Sequence, residues 1–514
     1  MTGRSGYRTA LLLLLLAALA LRLVLVLRGG QRYFPDENRY LRCFILMRHL
    51  ARGELGRGAD YILQNPDHTG FILVGLVPAL AHHGLLKAAG QPVTKESLDE
   101  TLWIPAAVLS VCSVACVALV HAIARRAGAE EAEALAAALL MASAATMTYV
   151  ARHLLPYDAS MALALFALWV GLRPQPGPGR SVLVGLIAGA AFLTYNGYWL
   201  IALTAVAVHS VWGVTGVRDV VGRGAAAAAG LAALPVALTL ASLMRGLGPY
   251  LRKMARFSRG AATQTDFHEG WSLPWAYLWH AEHGLLVVFA AAAVGLGVWR
   301  KREPATAARG LRWLATAAAL YLVMVLLSDG LERIGTFGRL ARQLVPLLCL
   351  ATAAGAAVLS SSPAGRKVLA GGALVVAVQA GFNLAPPLAQ RFPREVEREV
   401  TAIHGPVSRS DTVVSGHDDD LLVPGSRFVL LNARYLFPVR GIKPPPPGRT
   451  LYATPHPVQY LPYQYEGYVP EERALLREHD VSMRLIDTGS PATAASGVLP
   501  SRAPGRSRPG EAIP

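Results

Sequence analysis

Long apolar runs separated by short polar segments dominate this sequence. The first run, Thr9–Leu27, is long enough to cross the ~30 Å hydrocarbon core of a bilayer as a single helix. Comparable runs recur as far as residue 385, and they predict an all-α polytopic membrane protein with eleven transmembrane helices. The predicted spans are Thr9–Leu27, Leu102–Ala124, Glu133–Val150, Asp158–Leu172, Ser181–Tyr195, Tyr198–Val214, Gly224–Met244, Gly284–Trp299, Gly310–Leu327, Gln343–Ser360 and Lys367–Ala385.

One further apolar stretch, Phe71–Leu86, is ambiguous by hydropathy, and the basic residues decide its interpretation. Cytoplasmic loops of membrane proteins are enriched in Lys and Arg. If the N-terminus is cytoplasmic and Phe71–Leu86 does not cross, the main basic clusters all face the cytoplasm; if it crosses, they all face outside. We therefore predict a re-entrant or interfacial helix there. The clusters are Arg125 and Arg126, Arg173 to Arg180, Arg218 and Arg223, Arg300 to Arg302, and Arg366 and Lys367.

This topology places the C-terminal region outside the cytoplasm. Residues 1–385 are predicted to form the membrane domain, and residues 386–487 a small extracytoplasmic α/β domain with strand-like runs such as Arg427–Leu431. Residues 488–514 are rich in Pro, Ser, Gly and Arg, a composition typical of a disordered tail. The predicted location is a bacterial-type inner membrane.

Composition agrees with a membrane protein and argues against a nucleic-acid-binding one. Only 16% of the residues are charged and 53% are hydrophobic, whereas soluble proteins carry about a quarter charged residues. The formal net charge is +16, but the sequence contains no nucleic-acid-binding motif. We therefore expect the positive charge to contact lipid headgroups or lipid phosphates. Four cysteines, three of them in apolar segments, do not indicate a disulfide framework.

Two adjacent carboxylates, Asp36 and Glu37, follow the first span on its predicted outer side. Carboxylates at a membrane surface are costly to desolvate unless they are paired or functional. One of them can act as a general base for an acceptor hydroxyl or amine, and the other can orient it or bind a metal. A solvated acid pair in a loop is the equally weighted alternative.

A second candidate site lies at the junction between two predicted helices, where Arg152 and His153 precede Asp158. Arg152 can bind a phosphate. Asp158 begins a helix, where the dipole favours a carboxylate, so a simple N-cap beside a snorkelling arginine is the alternative.

Basic residues also cluster where the positive-inside rule expects few of them, in the predicted outer loop between Met244 and Gly284. Cations beside aromatic residues at an outer surface suit a lipid phosphate. An amphipathic interfacial helix that contacts headgroups is the alternative. Arg339 and Arg342, before a later span, can add a phosphate contact or act as interfacial anchors. The clustered cations are Arg245, Arg252, Lys253, Arg256 and Arg259.

Taken in order, several motifs resemble the GT-C membrane glycosyltransferases, in particular family 39, the protein O-mannosyltransferase and aminoarabinose transferase group. The resemblance covers Thr9–Val214 well, Arg245–Leu350 only in layout, and the tail from Pro386 hardly at all. The motifs are Pro35-Asp36-Glu37 with Tyr40, Asn65-Pro66, Ala124-Arg125-Arg126-Ala127-Gly128, Ala151-Arg152 with Asp158, and Gly185-Leu186-Ile187-Ala188-Gly189 with Leu193-Thr194-Tyr195.

The resemblance implies a GT-C-like fold and transfer of a sugar, with inversion, from a polyprenyl-phosphate donor to an extracytoplasmic lipid, glycan or protein. The implied catalytic residues are Asp36, Glu37 and Asp158, and Asp36 and Asp158 are candidate ligands for Mg²⁺ or Mn²⁺. The expected partners are membrane lipids, the donor and the acceptor. The candidate substrate-binding residues are Tyr40, Arg152, His153, Tyr195, Asn196, Arg245, Arg252, Lys253, Arg256, Arg339 and Arg342.

Two other functions stay open at the level of the sequence. The chain departs from the family pattern at Asp67–Phe71 and at Tyr195–Asn196, which keeps a catalytically inactive binding subunit as an alternative. A transporter or flippase for a lipid-linked sugar is the other. Transporters of that kind often show repeats and midplane polar residues, whereas here no repeat is detected and the spans carry almost no charge.

Overall fold

The computed structural model describes residues 2–31, 35–67, 69–173, 177–214, 216–263, 270–298, 300–331, 338–389, 393–411, 413–415, 423–432, 439–442, 444–455 and 482–489. These residues form two compact units, one of described residues 2–389 and one of described residues from 393 onward. The predicted tail of residues 488–514 lies outside the described residues except for its first two positions.

The first unit is built from helices. They are α1 (Thr2–Leu27), α2 (Leu41–Ala51), α3 (Leu55–Gln64), α4 (Thr69–Val74), α5 (Leu76–Ala88), α6 (Lys95–Glu100), α7 (Trp103–Arg126), α8 (Glu131–Ser143), α9 (Ala145–Tyr149), α10 (Tyr157–Gly171), α11 (Pro178–Thr194), α12 (Trp199–Val211), α13 (Val217–Met244), α14 (Tyr250–Thr263), α15 (Leu273–Val298), α16 (Pro304–Val325), α17 (Val345–Ser360) and α18 (Pro363–Ala389), with short 3-10 turns between some of them.

Eight helices among the described residues are long and apolar enough to cross a membrane, so the chain is an integral membrane protein. A ninth candidate is α8 with α9, a pair bent by 61°. The helices α10, α11 and α12 are apolar but shorter. The eight are Gly6–Leu27, Thr69–Ala88, Trp103–Arg126, Val217–Met244, Leu273–Val298, Pro304–Ser328, Gly338–Ser360 and Pro363–Ala385.

Two features of the predicted layout can be compared with the structure. The stretch predicted to be re-entrant or interfacial belongs to α4 and α5, which together are long enough to span, so the count of eleven spans stays a prediction. In addition, α15 begins at Leu273 rather than at Gly284. Leu273, Tyr277 and Leu278 are buried, and this packing extends the helix through polar residues that hydropathy alone assigned to a loop.

The core of the first unit surrounds α17. The segment Gly338–Ser360, which contains α17, is 83% buried in its most apolar window, far more than the other candidate spans. α11 and α13 approach so closely that a Cβ on Gly185 would lie 1.9 Å from the Ala227 carbonyl oxygen. Small residues permit such close backbone packing between helices in membranes. The Gly-rich segment in the sequence therefore has a packing role.

The second unit contains α19 (Pro393–His404) and a four-stranded sheet in the order β1-β3-β6-β5. β1 and β3 are parallel, and β6 runs antiparallel to both β3 and β5. Val396 and Val400 of α19 pack with Leu430 and Leu485 in its core. β2 and β4 form a separate antiparallel pair. The strands are β1 (Val407–Asp411), β2 (Val413–Ser415), β3 (Phe428–Asn432), β4 (Val439–Ile442), β5 (Arg449–Pro455) and β6 (Ser482–Asp487).

Candidate functional site

Glu37 and His153, two of the predicted site residues, form a buried pair. Glu37 lies in a 3-10 turn, Pro35–Tyr40, after the first span, and His153 follows the 3-10 turn that extends α9. Glu37 Oε1 lies 3.0 Å from His153 Nδ1, and Glu37 Oε2 accepts a hydrogen bond of 2.9 Å from the Leu154 amide. Neither side chain is exposed. The pair therefore fastens the turn that carries the two acids to the start of α10.

Burial favours the neutral form of His153 in this pair. Burial lowers the pKa of His153 below its ordinary value, and the nearby Glu37 carboxylate only partly opposes that effect. A carboxylate oxygen accepts but cannot donate, so the proton of the neutral ring is on Nδ1, facing Glu37. The fixed tautomer leaves Nε2 as an acceptor.

Arg152 holds the backbone that precedes this turn. Its guanidinium donates to the Gly29 carbonyl oxygen through Nε at 2.9 Å and through Nη2 at 2.7 Å. Gln31 in turn donates to the Arg152 carbonyl oxygen at 3.2 Å. Arg152 is fully buried, so it holds the backbone after the first span and does not present its charge at the surface.

Asp36 differs from its neighbour Glu37 because it is accessible. Its side chain is 32% exposed, and its carboxylate lies 3.0 Å from the Arg39 guanidinium. Tyr40, by contrast, is fully buried beside Phe44 and His82, with ring centroids 5.4 Å and 6.4 Å away. Burial, together with the nearby Cys43 thiol, raises the pKa of Tyr40. Asp36 is thus the accessible acid of this turn, and Glu37 is the enclosed one.

A second cluster forms around Asp158, the third predicted acid. Arg342 donates from Nη2 to Asp158 Oδ1 at 2.6 Å and from Nη1 to the Tyr198 hydroxyl at 3.0 Å. Arg342 is fully buried and Asp158 nearly so. Arg339 Nε lies 3.3 Å from the Tyr195 hydroxyl. The sequence therefore supplied four members of one cluster without indicating that they meet.

Aromatic rings line the Asp158 cluster. The ring centroid of Tyr157 lies 4.6 Å from that of Tyr195 and 6.0 Å from that of Tyr198. The Arg342 guanidinium lies 5.8 Å from the Tyr157 ring centroid, within cation–π range. Within the described part of the chain, both side-chain amide atoms of Asn196 are buried and lack a hydrogen-bond partner.

The predicted cation cluster forms a different surface, on and just before α14. Arg245 pairs with Asp60, which lowers the pKa of the aspartate and raises that of the arginine. Tyr250 is buried, and its hydroxyl lies 2.7 Å from the Thr69 hydroxyl. Burial raises the Tyr250 pKa to about 12. Lys253 donates to the Leu63 carbonyl oxygen at 3.3 Å. These contacts fix α14 against α3 and α4.

Arg252 and Arg256 are exposed on this fixed helix. The sequence alternative of an amphipathic interfacial helix fits α14, since its buried side packs through Tyr250 and Met254 while its arginines are exposed. The predicted outer loop is therefore helical over Tyr250–Thr263.

Two buried charged residues of the first unit escaped the sequence analysis. Arg22 lies inside the first span, is fully buried, and donates from Nε to the Ser113 hydroxyl at 2.8 Å. Glu282 lies in α15 and is also buried, with its carboxylate on Thr146. The only sequence signal for Arg22 was its position within an otherwise apolar run, because charged residues in spans usually face the bundle interior.

The predicted metal ligands do not fit a metal as the structure arranges them. Asp36 and Asp158 each lie against an arginine, which would oppose a bound cation. Among the described residues, no group of three or more His, Cys, Asp or Glu side chains is placed to hold a metal ion. The divalent cation therefore stays a sequence-based prediction.

No family model matches this sequence, and no curated protein matches it either.

Proposed function

We propose that the protein is a membrane glycosyltransferase that moves a sugar from a polyprenyl-phosphate donor to an extracytoplasmic acceptor with inversion. The observation that carries this proposal is the placement of Asp36. The turn that carries it is fastened to the α9–α10 junction through Glu37, and the backbone before it through Arg152 and Gln31. Asp36 itself stays accessible on that rigid base. Such preorganisation suits a catalytic group, because a loosely held base loses much of its effect.

In this mechanism Asp36 removes the proton from the acceptor hydroxyl or amine. The acceptor atom then bonds to the anomeric carbon on the face opposite the phosphate. The bond between that carbon and the phosphate oxygen breaks, and the polyprenyl phosphate leaves with the electron pair. A positioned base of this kind contributes about 10²–10⁴-fold to the rate.

Negative charge builds on the departing phosphate, so cations near it stabilise the transition state more than the ground state. The exposed Arg252 and Arg256 of α14 suit this task better than the buried Arg152. A chain of contacts connects α14 to the acidic turn. Arg42, just after that turn, pairs with Asp67 at 2.5 Å, and the neighbouring Pro66 carbonyl oxygen accepts from Tyr250 at 3.3 Å. The base and the cations thus belong to one connected region.

Three features of the helical bundle favour the transporter alternative. α8 and α9 pass as one candidate span only with a bend of 61° between them, α15 has non-helical backbone at Glu282, and buried charges lie within the bundle. Discontinuous helices with buried polar groups are common at transporter binding sites. A transporter moves its substrate intact, whereas a transferase releases free polyprenyl phosphate, so the two functions differ in a measurable product.

The experiment is release of free polyprenyl phosphate from a panel of polyprenyl-phosphate sugars by the purified protein in nanodiscs, with crude envelope acceptors. We expect release by the wild-type protein and its loss in Asp36→Asn. Glu131→Gln is the matched control, because Glu131 is also about one-third exposed and ion-paired, at 30% exposure with Arg125. Normal turnover by folded Asp36→Asn, or no release from any donor, would overturn the proposal.

A further inference from the structure

A buried carboxylate interrupts α15, one of the candidate spans. At Glu282 the backbone leaves helical geometry, with φ −135° and ψ 34°, and the residue is 1% exposed. Ionisable residues inside membrane segments are costly and are found mostly where they serve a function. Glu282 belongs to neither cluster described above, so its position needs a separate explanation.

The carboxylate of Glu282 contacts the chain at a second helix break, the one between α8 and α9. α8 ends at Ser143, Ala144 is extended with φ −62° and ψ 119°, and α9 starts again after a bend of 61°. Glu282 Oε1 accepts hydrogen bonds from both the amide and the hydroxyl of Thr146, each at 2.8 Å. The first amides of a helix have no partner within it, and Ala144 has no side chain that could supply one. Glu282 provides that partner from another helix.

The backbone groups next to the break in α15 find hydrogen-bond partners on a third helix, α18. The Ala281 carbonyl oxygen accepts from Gln379 Nε2 and from Asn383 Nδ2, both at 2.8 Å. The Gly284 amide donates to Gln379 Oε1. In lipid, every backbone group freed by a break must find a partner inside the protein. Two side chains of α18 meet that need here, so the break is a built feature of the fold.

The segment from Thr146 to His153 joins the two clusters of candidate site residues. Met147 lies between them: its carbonyl oxygen accepts from Ser113 at 3.0 Å, and its sulfur lies 3.4 Å from Nη2 of Arg342, the partner of Asp158. At its other end the segment supplies His153, which contacts Glu37 in the turn that carries Asp36, and Arg152, which contacts Gly29 before that turn. A shift of this short segment would therefore disturb both clusters.

We propose that Glu282 is a positioning residue, which sets the segment Thr146–His153 through its two hydrogen bonds to Thr146 and so holds the acidic turn and Arg342 in register. Its effect on turnover rests on the proposed glycosyltransferase function. Its effect on the segment does not, because the contacts that transmit it lie entirely within the protein. The effect of Glu282 on the segment and its effect on turnover can be measured separately.

The first measurement is hydrogen–deuterium exchange of peptides that cover residues 145–155, on the full chain in nanodiscs. Glu282→Ala removes both acceptor contacts, and we expect exchange there to rise at least tenfold. Glu282→Gln keeps an acceptor oxygen and should restore most of the protection. Thr146→Val removes only the hydroxyl contact and should give a smaller rise. Wild-type exchange in Glu282→Ala would overturn the proposal.

Glu133→Ala is the matched control for general loosening. Glu133 is also a buried carboxylate, but it pairs with Arg309 of α16. We expect its loss to leave exchange in residues 145–155 close to that of the wild-type protein. An equal rise in both variants would show that any buried carboxylate has this effect, and the specific role of Glu282 would be rejected. If Glu282→Ala does not fold, Glu282→Gln and Thr146→Val decide the matter through the order of their exchange rates.

The second measurement is donor-dependent release by the same variants. We expect kcat to fall at least tenfold in Glu282→Ala with a smaller change in KM, and to recover in Glu282→Gln. Asp36-dependent release with unchanged kcat in Glu282→Ala would refute positioning while leaving the proposed function intact. Raised exchange at residues 145–155 together with no release by any variant would retain the positioning contact and reject the proposed function.

Discussion

Glu37 and His153 are 116 residues apart in the chain, yet their side chains meet at 3.0 Å with neither exposed to solvent. The contact joins the turn after the first span to the start of α10. It also separates the roles of two adjacent acids, because Glu37 is enclosed while Asp36 stays accessible. The predictions below follow from this separation and from the packing around it.

His153 should make the stability of the protein depend on pH. Its folded-state pKa is lowered by burial, so the unfolded chain takes up the proton at a higher pH than the folded one does. The stabilising contribution is therefore complete above about pH 6.5, the ordinary histidine value, and is lost as the pH falls below it. The melting temperature measured between pH 7.5 and 5.0 should drop less for His153→Gln than for the wild-type protein. Parallel curves would show that His153 does not contribute.

Asp158 and Arg342 should behave as a buried ion pair. Removing one partner leaves an uncompensated buried charge, which costs about 3–5 kcal/mol. We expect both Asp158→Asn and Arg342→Met to lower the denaturation midpoint strongly, and the double variant to recover part of the loss. Strict additivity of the two single effects in this double-mutant cycle would contradict a direct interaction.

The exposed arginines of α14 should govern affinity for an anionic lipid donor. Each basic residue near an anionic membrane surface contributes about 1 kcal/mol, so Arg252→Gln with Arg256→Gln should raise the donor KM by about tenfold or more with little change in melting temperature. The KM of the wild-type protein should also rise with salt. Arg57→Gln is the control, because Arg57 is 74% exposed but lies on α3 and pairs with Glu54. An equal KM change in Arg57→Gln would indicate a general charge effect.

Chelation should leave donor release unchanged. Arginines already face both carboxylates that were candidate metal ligands, and the described residues offer no cluster for a cation. Release rates with excess EDTA and with added Mg²⁺ or Mn²⁺ should therefore agree. A tenfold loss in EDTA that Mg²⁺ restores would contradict this expectation and would return Asp36 and Asp158 to the role of metal ligands.

Gly185 should be intolerant of substitution because of the close contact between α11 and α13. A Cβ at this position would lie 1.9 Å from the Ala227 carbonyl oxygen, and overpacking of this kind costs about 1–3 kcal/mol. Gly185→Ala should therefore lower the melting temperature. Gly371→Ala in α18 is the control, since a Cβ there meets nothing within 4 Å. If Gly185→Ala and Gly371→Ala have equal melting temperatures, α11 and α13 pack less closely than the 1.9 Å distance implies.

The sequence by itself determined the membrane class, the positions of most helices and the residue types of the candidate site. Apolar runs predict helices reliably because a segment in lipid must satisfy its own backbone hydrogen bonds. The early start of α15 escaped this approach, since Trp279, His280 and Glu282 read as loop residues. Glu282 is buried against Thr146, a partner far away in the chain, and no local pattern reports that contact.

Only the tertiary structure decided which candidate residues meet. Hydropathy treats the two acids Asp36 and Glu37 alike, and nothing local separates the arginines Arg152 and Arg256. The structure encloses Glu37 and Arg152 and leaves Asp36 and Arg256 accessible. The physical reason is that burial and ion pairing arise from contacts between distant segments. Each segment is encoded locally, but its partner is fixed by how the helices pack.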